Sequence, residues 1–119
     1  MITPPSWLGS EAQRHFEMHA RYMNAVNDAY GFDFYNESDV DTLAKMSASH
    51  QKAMEYMAAE STAKDPRAAE RAQRKRMAED RNYQSFMKML GLDPEGRLAV
   101  SKKAPRAGAS SFYMRISDD

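Results

Sequence analysis

Residues 10–31 read SEAQRHFEMHARYMNAVNDAYG, and this stretch decides the fold. Its apolar positions Ala12, Phe16, Ala20, Met23, Val26 and Tyr30 recur at spacings of three and four, which is one face of an α-helix. Ser10 with Gln13 three residues later has the form of a capping box. Glu11 adds favourable charge to the first turn, and Gly31 offers the left-handed stop that ends a helix. Phe32 to Asn36 reads as a packed aromatic connector.

The pattern repeats twice downstream. Ser38, with Asp39 and Asp41 behind it, is the expected cap of a second helix. Its apolar seam runs Val40, Leu43, Ala44, Met46, Ala53, Met54 and Met57, reaching about Glu60. After a break at Ser61 to Lys64, Asp65 and Pro66 signal a third start, because proline at the first helical position gives up only an N–H that has no partner there. No Gly or Pro interrupts Arg67 to Leu90, where Ala69, Ala72, Arg76, Tyr83, Phe86, Met87 and Leu90 keep one stripe. Gly91 ends that helix with Leu92 folding back on it, and Asp93 and Pro94 open one or two further turns through Arg97 and Leu98 to Val100. Beyond Ala104, Pro105, Gly108, Ser110 and Ser111 read as a flexible tail whose Phe112 to Ile116 segment suits docking.

Composition agrees with an all-α chain. In 119 residues there are eighteen Ala and ten Met but only ten Leu, Ile and Val together, and helix formers far outnumber β-branched types. The length bounds the chain to one domain, expected to be a small bundle of helical hairpins: three main helices, a short fourth element, and a tail over 104–119. So thin an aliphatic core predicts that copies cover one another's seams, with Met54, Met57, Tyr83, Phe86, Met87, Leu90 and Leu92 as the contact set. Met46, Met77 and Met89 belong to the same Met-rich pattern, which reads first as core and second as an adaptable helix-binding surface. The chain has no Cys, which removes disulfides and thiolate metal sites. No apolar run approaches a membrane span and residues 1–5 lack the marks of a secretion signal, so a cytosolic protein with no membrane partner is expected.

A zero net charge hides a split. Residues 1–63 carry four basic and nine acidic side chains, residues 64–119 thirteen and eight. Lys64, Arg67, Arg71, Arg74, Lys75, Arg76 and Arg81 crowd the third helix, with Arg67, Arg71, Arg74 and Lys75 on one side of it, spaced to meet phosphates along a duplex. Lys102, Lys103 and Arg106 form a second basic group at the base of the tail. Glu70 and Arg74 one turn apart also fit a solvated helix laced with ion pairs, the plainer reading of the same residues. Chemistry-bearing patterns are sparse. His15 and His19, with Glu11 a turn earlier, have the spacing of a zinc or nickel site, but the general-base Glu of a zincin is not between them, and no metal or cofactor is expected. His50 reads as a seam residue of the second helix, and Asp33, Asn36, Asp39 and Asp41 as cap residues rather than a calcium loop. With no phosphate loop or nucleophile elbow, an enzyme is not expected.

Pro4, Pro5, Ser6, Trp7 and Leu8, then Ala12 and Phe16, then Asp39 and Leu43, and above all Leu90, Gly91, Leu92, Asp93, Pro94, Arg97 and Leu98 resemble the small-subunit family of tailed-phage terminases. The resemblance covers residues 4–100. It departs in the connector, shortened here to Ser61–Lys64, and in Glu95 and Gly96, where the family has small hydroxyl residues. It implies a homo-oligomeric ring in the host cytoplasm that binds viral double-stranded DNA and regulates a large subunit holding the ATPase and nuclease. The alternative left open is an adaptor that self-associates through its charge-split helices and never meets nucleic acid.

Overall fold

The structure, a computed structural model, describes residues 1–103. These form three long helices and a shorter fourth: α1 (Ser10–Tyr30), α2 (Glu37–Thr62), α3 (Pro66–Met89) and α4 (Pro94–Lys103), with no strand among the described residues. The protein is all-α. The expected tail, Arg106 and the Phe112–Ile116 segment lie outside the described residues.

Helix ends follow local chemistry, with two corrections. The capping box expected of Ser10 and Gln13 does not form: Gly9 is the N-cap and Ser10 is already helical. The free N–H of Ala12 instead donates to Oε1 of Gln51 at 2.9 Å, so α1 is capped by α2. Gln13 turns back to donate to the Leu8 carbonyl. At α2 the cap is Asn36 rather than Ser38. Asn36 Oδ1 accepts from Ser38 and Asp39 N–H, while Asp39 Oδ2 accepts from Asn36 N–H, a reciprocal capping box. The other signals act as read. Gly31 (φ 77°) stops α1, Asp65 and Pro66 start α3, and Gly91 (φ 66°) ends it, with Leu92 N–H donating to the Met87 carbonyl at 3.0 Å.

The core occupies one end of the molecule. Phe16, Met23 and Val26 of α1 and Leu43 and Met46 of α2 are fully buried, joined by Leu8, Leu90, Leu92 and Val100. The connector is part of it: Tyr35 is bracketed by the Asn27 side chain and its hydroxyl donates to the Leu90 carbonyl at 2.8 Å, while Tyr30 reaches the Val100 carbonyl. The first turn of α1 lies at Gln51. From there α2 runs eleven residues further to Thr62, about 17 Å at helical rise, and among the described residues α3 is the helix packed along it. This arm has a seam of small and charged groups: Ala53 and Ala72 are buried, and Arg76 bonds Glu60 at 3.2 Å.

Where α1 meets the hairpin, the seam is polar. His15 lies 2.9 Å from Ser47 Oγ through Nδ1 and 2.9 Å from the Tyr83 hydroxyl through Nε2, joining α1 to both α2 and α3. His50 stacks on it at 4.5 Å between ring centroids and His19 tilts against it at 4.6 Å. Thus all three histidines of the chain stand together, and His50 is a seam residue, as its position in α2 suggested.

Candidate nucleic-acid interface

The α2–α3 arm carries the basic run. Asp65 caps α3 through the Ala68 N–H, and Ala69 and Ala72 turn toward α2, which points the opposite face of the helix to solvent. Lys64, Arg67, Arg71, Arg74, Lys75 and Arg81 are all exposed. Arg67, Arg71 and Arg74 occupy that outward side, and Lys75 lies at its edge, next to Tyr56 of α2. Among the described residues, Lys64, Arg67, Arg71 and Arg81 hold no ion pair.

Their neighbours differ in how far they are already engaged. Arg74 pairs with Glu70 at 2.6 Å one turn away, an exposed bridge worth at most about 1 kcal/mol and therefore readily exchanged for a phosphate. The Lys75 ammonium lies 5.8 Å over the Tyr56 ring, which steadies its stem without neutralising it. Arg76 is set apart from the rest: it is half-buried in the seam, bonded to Glu60 and 3.7 Å from Asp80, so its charge is compensated within the arm. Lys102 is exposed on α4, and Lys103 is the last residue of that helix.

The residues expected at contacts between copies divide in the same way. Leu90 and Leu92 are 3% exposed, sealed in the chain's own core, so no copy reaches them without opening the fold. Tyr83, Phe86 and Met87 pack against that core. Met54 and Met57 are left roughly half exposed on the arm, and Met77 joins them from α3; Met46 is buried and Met89 exposed. The spacing puts Met54 and Met57 on the seam of the second helix and Tyr83, Phe86, Met87 and Leu90 on the stripe of the third, but it does not show that α1 begins only at the level of Gln51. That length mismatch divides the stripe between core and surface.

Of the other residues with chemistry-bearing side chains, several are already engaged. Both ring nitrogens of His15 are taken by Ser47 and Tyr83, and no group of three or more His, Asp or Glu among the described residues is arranged to hold a metal ion. Asn36 and Asp39 serve the α2 cap, and Asp41 pairs with Lys45. No helix among the described residues is long and apolar enough to cross a membrane. No family model, curated protein or solved structure matches the chain.

Proposed function

We propose that this chain is a non-catalytic DNA-binding subunit that works in several copies, the small subunit of a viral DNA-packaging terminase. In this reading the outward face of α3 grips duplex phosphates, while a separate large subunit hydrolyses ATP and cuts DNA. One observation carries the DNA-binding part: Arg67, Arg71 and Arg74, with Lys75 at their edge, share the solvent face of an arm that stands clear of the core. From Arg67 to Arg81 the basic side chains span about 21 Å of helix, against a duplex charge about every 1.7 Å, so several can meet phosphates at once. The family part is supported by the resemblance of residues 4–8 and 90–98, and the ring by the Met54, Met57 and Met77 surface.

The test is duplex binding measured across a salt series. Each phosphate neutralised contributes about 0.9 to the slope of log affinity against log salt. Replacing Arg67, Arg71 and Arg74 together by Ala should lower the slope by about 2.7 and leave helix content unchanged. Salt-independent binding, or none to any duplex at low salt, would refute the proposal.

The half-exposed Met54, Met57 and Met77 favour a second reading, a protein adaptor, since thioether side chains suit a surface that repacks against helices. A gel shift with and without a competing polyanion separates the two. A shift abolished by competitor selects DNA, and no shift on any duplex selects the adaptor.

A further inference from the structure

Of the three histidines brought together at the head of the arm, two are almost fully buried: His15 is 6% exposed and His19 5%. His15 is satisfied by a hydroxyl on either side. His19 is not: neither of its ring nitrogens has a hydrogen-bond partner. Burying a polar group unpaired costs free energy, and burying a charged one costs far more, so His19 is tolerated here only as a neutral ring.

The neighbours make a proton still less welcome. From α1 each of the two rings faces the other; from α2 come His50 and Ser47; from α3 comes Tyr83. From α4 comes Arg97, whose guanidinium lies 4.4 Å over the Tyr22 ring, whose Nε donates to the Leu92 carbonyl and whose charge acts on His19. Every charged group in that set is a cation or becomes one on protonation. Among the described residues, no carboxylate is one of the groups acting on either ring. Burial, with the His19 and His50 charges adding to it, holds His15 down at about 3, and burial with Arg97 and His50 holds His19 at about 4, both from an ordinary 6.5.

We propose that this cluster is an acid-operated clasp: proton uptake at the His15–His19 pair disengages α1 from the α2–α3 hairpin, while at neutral pH the uncharged rings hold the three helices together. The sign follows from linkage. Once α1 lifts away, the rings regain water and an affinity for protons near 6.5, so the opened form binds more protons than the closed one at every pH between about 6.5 and 4. The clasp is therefore fully closed above 6.5 and weakens as the pH falls toward 4. Each histidine contributes up to about tenfold in the opening equilibrium per pH unit, and the pair up to about a hundredfold. The clasp is independent of what the arm binds.

The chain has no cysteine, so one Cys at Met18 on α1 and one at Gln84 on α3, both exposed, take a spin-label pair on the full-length protein without further change. At pH 7.5 a single narrow interlabel distance is expected. By pH 4.5 a longer, broader distribution should dominate, and in His19→Met its onset should move to lower pH with a slope about one proton shallower. An unchanged distance down to pH 4.5, or a His19→Met profile that overlays the wild type, overturns the proposal. Should His19→Met fail to fold, the unsubstituted chain's own opening curve decides instead: a long-distance fraction that rises with a slope approaching two protons between pH 6.5 and 4.5 supports the clasp, and a slope near zero refutes it.

Discussion

A Cβ built on Gly96 would stand 2.5 Å from the Cα of Gly91 and 2.5 Å from Oδ1 of Asp93. Gly96 is what lets α4 lie directly on the turn that ends α3. Gly96→Ala should cost about 1–3 kcal/mol, the range for forcing extra atoms into a packed contact, read as a lowered urea midpoint with unchanged slope. Gln51 is a second single-residue determinant, because its carbonyl oxygen replaces the missing side-chain cap of α1. Gln51→Ala should cost about 1 kcal/mol, the usual worth of an N-cap, and should fray the first turn of α1 in amide-exchange measurements. Neither role was legible in the sequence. Ser10 looked like the cap because capping rules are local, whereas Gln51 stands 39 positions away from the N–H that it serves.

At the scale of the element, the α2–α3 hairpin combines two interfaces made by different chemistry. Near the core it packs Leu43, Met46, Phe86 and Leu90; along the arm it packs Ala53 against a helix bearing Ala72, with Arg76 and Glu60 bonded across. Alanine contributes little burial but allows close approach, so the arm depends on helix propensity and fit more than on apolar area. Ala72→Leu should therefore splay the arm rather than strengthen it. The expected loss is about 1–3 kcal/mol of stability, with Arg76 released from Glu60. The stripe Ala69, Ala72, Arg76, Tyr83, Phe86, Leu90 was readable from spacing alone, as were the proline starts and glycine stops. What spacing could not supply was the partner of each stretch. Leu90 and Leu92 looked available to another copy, but Tyr35 and α4 occupy them within the same chain.

For the whole molecule, stability is unevenly distributed. The large fully buried side chains belong to α1 and the first half of α2, and none lies between Gln51 and Asp80. At pH 7.5, where the histidine clasp is closed, native-state hydrogen exchange should show amides of residues 66–76 opening at a small fraction of the global free energy, and amides around Met23 and Leu43 opening only with complete unfolding. Uniform protection across both regions would contradict this division.

The uneven layout also has a mechanical consequence. A projection about 17 Å long fixed only at its root is a lever, and a tilt of about 10° there carries its end through about 3 Å. That displacement is close to the roughly 3.4 Å step between successive charges on one strand of a duplex. Small repacking around His15 and Tyr83, the fulcrum, would thus shift the cationic row by about one step of a periodic polymer while its own side chains kept their relative places.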